Sequence, residues 1–255
     1  MNMTDIDRAL KQLRLSGIST TLSTRVLEAQ SGQQSFLETF GLILQDELDR
    51  RKSRLNDRRF KQSGLEERQS LQDFDWSFNP KLPRRECFEL HTLKFISQGA
   101  NAILIGSPGT GKSHIAKAIG YQATLSGYNV CYLEADTELA RHAIGDAFEQ
   151  QKLLYKALHC DLLILDDLFL ARSISEPAAE LLQTIVHQRY KRHASIVLTS
   201  NRLIDDWGKY LGDNTAATTI VDRLMHRSAL LKFEGRSYRL KELATRITQP
   251  DQQTA

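Results

Sequence analysis

The feature that most constrains this chain is a glycine-rich loop at residues 106–113, with the sequence GSPGTGKS. An apolar stretch at 102–105 precedes it, and a helical pattern follows it from His114. The loop matches G-x-x-x-x-G-K-[ST] at each fixed position and lies between a strand and a helix, the context this motif requires. Backbone amides of such a loop and the positive end of the helix attract phosphate. The pattern therefore predicts an α/β fold that binds a nucleotide.

The loop offers ligands for both phosphate and metal. Lys112 is predicted to reach the β- and γ-phosphates as a point charge. Ser113 is predicted to place its hydroxyl on Mg²⁺, which prefers oxygen ligands and is normally shared with the nucleotide. The predicted cofactor-binding residues are Gly106, Ser107, Pro108, Gly109, Thr110, Gly111, Lys112, Ser113 and His114.

Composition excludes several classes of protein. A chain of 255 residues with 41% hydrophobic and 25% charged residues is typical of a globular protein with one sizeable core and a smaller appendage. No apolar run approaches the ~18 residues of a membrane span, and the start of the chain is acidic where a signal peptide would be basic. Cys87, Cys131 and Cys160 form no C-x-x-C pair, so neither a zinc site nor a disulfide framework is indicated. We expect a protein of the reducing cytoplasm, with no membrane partner.

Helical spacing of apolar residues dominates the first part of the chain. It predicts a helix at 5–15 that ends at Gly17, and a second at 20–30. A longer third helix is predicted to begin with a capping box formed by Ser35 and Glu38. These helices could bury one another as a small bundle.

Three domains follow from these patterns. A small all-α N-terminal domain is predicted at 1–65, a linker at 66–100 and an α/β domain at 101–255. Two interpretations of the aromatic residues in the linker stay open: they form the wall of an adenine pocket, or they dock the linker on the core. These aromatic residues are Phe74, Trp76 and Phe78.

Alternating strands and helices from residue 101 predict a parallel sheet covered on both faces. The predicted strands are 102–105, 129–133, 161–166, 195–200 and 229–233. The predicted helices are 112–126, 136–157, 176–192 and 215–227. Ligands of such sheets bind at the carboxyl ends of the strands, so chemistry is expected just after each one.

Polar side chains end two of these strands. Asp166 and Asp167 follow four apolar residues, and Asn201 ends the next strand. Asp166 is predicted to hold Mg²⁺, directly or through water, and Asp167 to orient the water that attacks the γ-phosphate. The Asn201 amide could donate to the phosphate and accept from that water. A strand end capped by turn-forming residues is the alternative interpretation.

A basic cluster marks the end of the third predicted helix. Residues 50–61 contain seven cations against one acid, and Arg50, Arg54 and Arg58 fall on one helical face. A polyanion would relieve their repulsion and release counterions. The alternative is a solvated helix end favoured by the helix dipole. The predicted DNA-binding residues are Arg50, Arg51, Arg54, Arg58 and Arg59.

The order of residues 106–113, 162–167 and 199–201 is similar to that of the Walker A, Walker B and sensor I motifs of AAA+ ATPases. Further segments make the chain resemble the IstB family of insertion-sequence transposition helpers, which are related to the DnaC helicase loaders. These segments are 10–17, 73–76, 188–190, 206–208, 222–226 and 235–239. The resemblance implies an AAA+ P-loop NTPase fold with strand order 5-1-4-3-2. It also implies ATP-dependent self-assembly on duplex DNA, as a ring or helical filament, and a cognate transposase as partner.

The same resemblance assigns roles to single residues. Arg223 matches the arginine finger, which would enter the ATP site of a neighbouring subunit; a surface arginine beside Asp222 is the alternative. With Lys112, Asp167 and Asn201 it makes up the expected catalytic set. Asp167 stands where many AAA+ proteins have glutamate, so slow hydrolysis is expected. The segment after the last strand is expected to be too short for a full helical lid, which leaves the sensor II position open with Arg239 as the nearest candidate.

The expected function is that of an ATPase, with ATP and Mg²⁺ at sites between subunits, that assembles on duplex DNA and regulates or recruits a transposase. A DnaC-like helicase loader is the alternative within this fold. A P-loop kinase for a small molecule, and a nucleotide-bound scaffold without turnover, are further alternatives from other functional classes.

Overall fold

The computed structural model describes residues 2–32, 34–171, 174–211, 214–241 and 243. The chain divides into two compact units, Met1–Arg58 and Arg59–Ala255. This division lies before residue 65, where the sequence analysis ended the N-terminal domain. The functional domains assigned to 1–65, 66–100 and 101–255 stay predictions.

The N-terminal unit is helical. Its elements are α1 (Met3–Gln12), α2 (Ser16–Gly32) and α3 (Phe36–Ser63), the last of which continues beyond this unit. The predicted capping box of α3 is confirmed, because the Glu38 carboxylate accepts the Ser35 N–H at 2.9 Å while the Ser35 hydroxyl accepts the Glu38 N–H at 3.3 Å.

The predicted end of the first helix at Gly17 is wrong. α1 ends at Gln12, the chain turns at Arg14 with a φ of 58°, and Gly17 is buried inside α2. The Gly17 N–H donates to Oε2 of Glu47 at 2.6 Å, and a Cβ at this position would lie 2.6 Å from the Glu47 Cα. This glycine permits a close helix approach and does not terminate a helix.

The second unit is built on a parallel five-stranded sheet. Its strands are β1 (Asn101–Gly106), β2 (Val130–Glu134), β3 (Leu162–Leu168), β4 (Ser195–Ser200) and β5 (Ser228–Phe233). Their order is β2-β3-β4-β1-β5, which is the implied order 5-1-4-3-2 counted from the opposite edge. The predicted strands and α/β fold class are confirmed, and the carboxyl ends of β3, β4 and β1 lie side by side.

Helices cover both faces of this sheet. They are α4 (Arg84–His91), α5 (Lys94–Ser97), α6 (Lys112–Leu125), α7 (Ala135–Ala143), α8 (Ala147–His159), α9 (Glu176–Lys191), a 3₁₀ helix (Ile204–Asp206), α10 (Trp207–Leu211) and α11 (Asn214–Met225). In the described part of the chain, no helix combines the length and apolarity needed to cross a bilayer.

The single helix predicted at 136–157 is wrong, because the structure has two helices there. They are separated by Ile144, Gly145 and Asp146. The Asp146 side chain accepts the N–H of Glu149 at 2.8 Å and so caps the start of α8. A glycine followed by a capping aspartate favours a new helix start over continuation.

The core lies on both faces of the sheet because strand side chains alternate. Ile103 and Ile105 pack on the face covered by α7, α9 and α11, while Leu104 packs on the face covered by α6. The second cluster also contains buried residues of the predicted linker, among them Leu71 and Leu90. The segment at 66–100 is therefore part of the core that positions α6 and the glycine-rich loop.

Candidate nucleotide-binding site

A cavity of about 560 Å³ lies where the predicted site residues converge. Its lining includes residues 108–114 of the glycine-rich loop region, Asp167 after β3 and Asn201 after β4. This volume falls in the usual range for small-molecule and cofactor sites. The structure thus brings together side chains from three strand ends of the sheet, as the sequence analysis predicted.

Lys112 is a buried cation in the lining of the cavity. Its side chain is 4% exposed, and Nζ donates to the carbonyl oxygens of Gly106 and Ser107 at 2.8 Å each. Burial lowers the pKa of Lys112 to about 8, although the negative charges of Asp167 and Asp166 oppose the shift. A buried ammonium whose hydrogen bonds go to neutral carbonyls is stabilised when an anion arrives, which suits a phosphate contact.

Gly111 joins the loop to an aromatic wall. Its φ is 100°, and a Cβ there would collide with the ring of Phe74. Phe74 makes an edge contact with His114, at 5.2 Å between ring centres. Nε2 of His114 lies 3.0 Å from the Ser70 carbonyl oxygen. The start of α6 is therefore tied to the segment that the sequence analysis treated as a linker.

A second aromatic group also lines the cavity. Phe78 and Tyr238 line it and contact each other edge to face at 5.3 Å. The Tyr238 N–H donates to the carbonyl of Gly109 at 2.8 Å, so the segment after β5 lies directly on the loop. The cavity thus combines aromatic rings, which suit the base of a nucleotide, with a cationic glycine-rich loop, which suits its phosphates. The chemistry of the site therefore fits ATP.

Asp166 lies just behind the cavity and is 3% exposed. Its Oδ2 accepts a hydrogen bond from the Tyr132 hydroxyl at 2.7 Å, and its Oδ1 accepts one from the Thr199 hydroxyl at 2.5 Å. Sequence reasoning missed both partners. They occupy positions inside apolar strands, where a hydroxyl gives little signal beyond β-propensity.

Asp167 is half-buried and faces the cavity with a φ of 52°. Nδ2 of Asn201 lies 3.5 Å from its Oδ1, which is long for a hydrogen bond. Burial and the neighbouring Asp166 charge raise the pKa of Asp167, while Lys112 and Arg239 oppose that shift. A carboxylate with a raised pKa is a stronger base, as activation of water requires.

The oxygen donors at this edge suit Mg²⁺. The predicted ligands are the Ser113 hydroxyl and the Asp166 carboxylate, and both are hard oxygen donors. Among the residues that the structure describes, no group of three or more His, Cys, Asp or Glu side chains could hold a metal ion by itself. A Mg²⁺ ion here would complete its shell with phosphate and water oxygens, as it commonly does in nucleotide sites.

Two arginines from the last part of the chain differ in placement. Arg239 lines the cavity, and its charge influences the pKa values of both Lys112 and Asp167. Arg223, in contrast, lines a small pocket with Gly99 and Asn101, at the start of β1. It therefore lies toward the amino ends of the strands, whereas the cavity lies at their carboxyl ends. The structure does not bring Arg223 to the cavity of its own chain.

The predicted DNA-binding cations share their surface with acids. Arg50 and Arg54 line a groove of the N-terminal unit together with three acids, Asp46, Asp49 and Asp57. Nε of Arg51 donates to Oε1 of Glu47 at 2.7 Å. Arg58 is exposed in the N-terminal unit, and Arg59 is half-buried in the other unit. The count of one acid over residues 50–61 therefore understates the negative charge around these cations, because α3 supplies acids from its preceding turns.

Comparison with known proteins gives a consistent result. The sequence profile of the family described as IstB-like ATP binding protein matches residues 8–245. An ATP-binding protein of insertion sequence IS21 from Pseudomonas aeruginosa is 34% identical over 244 residues, covering 94% of this chain and 90% of that protein. An ATP-binding protein of insertion sequence IS5376 from Geobacillus stearothermophilus is 31% identical over 235 residues, covering 91% and 92%.

Solved structures share the fold over about two thirds to three quarters of this chain, from 67% to 74%. The crystal structure of DnaI superposes with a TM-score of 0.55 at 20% identity, covering 67% of this chain and 90% of that one. The DnaC helicase loader gives 0.51 at 22%, covering 69% and 99%. The replication initiator DnaA bound to AMPPCP and single-stranded DNA gives 0.55 at 22%, covering 74% and 58%. These similarities establish the fold of AAA+ P-loop NTPases. With a family profile that spans most of its length, this chain belongs to the IstB-like ATP-binding protein family.

Proposed function

We propose that this protein is an ATP-hydrolysing assembly factor for transposition. It binds ATP with Mg²⁺, assembles with further copies of itself on duplex DNA, and regulates or recruits a cognate transposase. The observation that carries the proposal is the convergence of Lys112, Asp167 and Asn201 on one cavity beside a glycine-rich loop. The similarity to ATP-binding proteins of insertion sequences supports the transposition context.

ATP binding is assigned to the loop and the aromatic wall. Lys112 exchanges the carbonyl oxygens of Gly106 and Ser107 for phosphate oxygens, which are better partners for a buried ammonium. The amides at the start of α6 supply further donors to the phosphates. Phe74, Phe78 and Tyr238 offer faces and edges against which the base can pack.

Hydrolysis is assigned to the strand ends. Asp167 accepts a proton from the attacking water, and Asn201 orients that water beside it. Ser113 and Asp166 are the expected ligands of Mg²⁺, which neutralises charge on the phosphates when bound. The short Asp167 side chain reaches less far than glutamate, so a slow rate is expected.

Completion of the site by a second copy is assigned to Arg223. Its place toward the amino ends of the strands, away from the cavity, supports a head-to-tail arrangement. An arginine finger of one copy could then serve the cavity of the next. In other enzymes such a finger contributes roughly 10³- to 10⁵-fold in rate. Head-to-tail contacts produce a ring if the rotation closes and a filament if it does not.

Mixing two inactive variants tests the shared site. Lys112→Ala removes the phosphate contact and Arg223→Ala removes the finger. When both variants are mixed, an intersubunit site can combine an intact loop from one copy with an intact finger from the other. Recovery of phosphate release supports the proposal, whereas no recovery at any ratio contradicts a shared site.

The function as a whole is tested by particle size and DNA binding. We expect larger particles and tighter binding to duplex DNA with ATP than with ADP or without nucleotide, measured by light scattering and fluorescence anisotropy. Electron microscopy with a non-hydrolysable ATP analogue distinguishes a ring from a filament. A monomer without DNA affinity in all three states would overturn the proposal, and a strong preference for single strands would favour helicase loading.

A further inference from the structure

Two hydroxyls from neighbouring strands hold the carboxylate of Asp166. Tyr132 of β2 donates to one oxygen and Thr199 of β4 donates to the other, at 2.7 and 2.5 Å. Both partners are buried, at 8% and 0% exposure, and neither lines the cavity. Because a carboxylate removed from water depends on such donors, the two hydroxyls determine the orientation of Asp166.

Thr199 makes a second contact. Its Oγ1 accepts the backbone N–H of Asp167 at 2.8 Å, so one hydroxyl bonds to both consecutive acids. The register between β3 and β4 shifts between Leu165 and Leu168, and both acids lie within that irregular stretch. A side-chain hydroxyl thus supplies a bond to the backbone where the regular pairing of the two strands is interrupted.

We propose that Thr199 is a positioning residue for ATP hydrolysis. Its hydroxyl fixes Asp166, the expected Mg²⁺ ligand, and at the same time fixes Asp167, the expected partner of the attacking water. The inference rests on the proposed function, because the two acids need this alignment only if ATP is hydrolysed in the cavity. Thr199 is buried and does not line the cavity, so it acts through these acids.

Three substitutions test the hydroxyl separately from its volume. Thr199→Val replaces the hydroxyl by a methyl group, and we expect kcat to fall about 10- to 100-fold, as for other residues that orient metal ligands. Thr199→Ser retains the hydroxyl and is expected to stay within about threefold of the original kcat. Tyr132→Phe removes the hydroxyl that touches Asp166 alone, so its effect on kcat is expected to be smaller than that of Thr199→Val.

Metal dependence provides a readout other than turnover. Binding of AMPPCP to each variant is measured by calorimetry over a series of Mg²⁺ concentrations. In Thr199→Val the Mg²⁺ concentration for half-maximal enhancement of binding should rise about tenfold, because Asp166 is no longer held in place. Binding of AMPPCP without Mg²⁺ should be unchanged, since Lys112 and the loop amides are intact.

The inference is overturned if Thr199→Val keeps both its kcat and its Mg²⁺ requirement. It is also overturned if Thr199→Ser is as impaired as Thr199→Val, because the residue would then act through packing alone. Should the valine variant fail to fold, Thr199→Ala and Thr199→Ser are compared in the same two assays. Absence of hydrolysis in the unaltered protein would overturn the proposed function and with it the role of Thr199 in hydrolysis, while the Mg²⁺ titration would still test whether Thr199 positions Asp166.

Discussion

The two units of the chain hold their charged side chains in different ways. In the unit with the cavity, Lys112 and Asp166 are 4% and 3% exposed and bond to defined partners. In the N-terminal unit, Arg50, Arg54 and Arg58 are exposed to solvent. A buried charge is tolerated in few arrangements because it needs a protein partner, whereas water serves an exposed charge in many. The structure therefore defines the partners of the first group, while the exposed position of the second leaves its side chains many arrangements in water.

The largest effect is expected from the carboxylate that faces the cavity, Asp167. Asp167→Asn removes the proton acceptor but keeps the size of the side chain, so kcat should fall about 10²- to 10⁴-fold. Affinity for ATP should stay nearly unchanged, since Lys112 and the loop remain. Phosphate release measures the first quantity and titration with a fluorescent ATP analogue the second.

An exposed aspartate gives the matched control. Asp205→Asn makes the same chemical change close to the sheet edge but outside the cavity lining, and it should leave kcat unaltered. Equal loss in both variants would show that the effect of Asp167 is not specific to the cavity.

The same contrast explains what sequence reasoning could achieve. The loop around Lys112 has fixed spacing, and Asp167 and Asn201 follow short apolar strands, so their convergence could be predicted. Tyr132 and Thr199 could not, because a hydroxyl within a strand reveals its partner only when the register is known.

Two other features of the structure are absent from the predictions made from the sequence: one has a local cause, and the other depends on residues far apart in the chain. The break at Gly145 carried a readable signal, a glycine before a capping aspartate, which competed with a continuous helical pattern over 136–157. Tyr238 lies far from the loop in sequence, and only the fold places its N–H on the Gly109 carbonyl. The exposed cations of α3 carry no comparable signal, because water can serve an exposed charge in many arrangements.

The second prediction tests whether the exposed cations act as a phosphate-binding surface. Replacing Arg50, Arg54 and Arg58 by alanine removes three phosphate contacts if each cation makes one. The slope of log K against log salt for duplex DNA should then become less steep by ~2.7, and affinity at 0.2 M salt should fall about 10²-fold. Fluorescence anisotropy between 0.05 and 0.3 M salt, roughly the range in which such slopes are measured, provides both values.

A control of equal charge keeps this test specific. Replacing Arg8, Lys11 and Arg14 by alanine also removes three exposed cations from the N-terminal unit. An equal loss of affinity in this variant would mean that net charge, and not the face of α3, attracts DNA.

The third prediction concerns the buried cation of the cavity. Burial lowers the pKa of Lys112 to about 8, and a bound phosphate would raise it again. Above pH 8 the free protein has lost this proton, so nucleotide binding must take it up. Affinity for ADP should therefore be about tenfold weaker at pH 9 than at pH 7. Calorimetry at several pH values measures this change.

The control for the pH dependence of ADP binding is the variant Lys112→Arg. Lys112→Arg keeps a positive charge throughout this pH range, so its weaker ADP binding should lose the dependence on pH between 7 and 9. A flat profile in the unaltered protein would contradict the lowered pKa, and a persisting slope in the arginine variant would assign the proton to another group.

The smallest effect is expected from Glu47. This residue is an exception to the contrast between the units, because it is a buried charge in the N-terminal unit. It is 5% exposed and accepts hydrogen bonds from Gly17, Ile18 and Arg51. Burial alone would raise its pKa, but these bonds outweigh that cost and lower it. Its stabilisation is present above the ordinary pKa of 4.5 and is lost as pH falls through the lower folded value.

Glu47→Gln keeps the shape of the side chain but weakens charge-assisted bonds, and should destabilise the packing of α2 on α3 by about 1 kcal/mol at pH 7. Amide hydrogen exchange at Gly17 and Ile18 should be about fivefold faster at pH 7. The difference should shrink as pH falls from 4.5 through the lower folded pKa of Glu47, because the original carboxylate then becomes protonated. Glu28→Gln, which alters a solvent-exposed ion pair with Arg25, should change neither rate. If both variants behave alike, the hydrogen bonds of Glu47 contribute no more to stability than those of a surface charge. Glu47 would then no longer be an exception to the contrast between the two units.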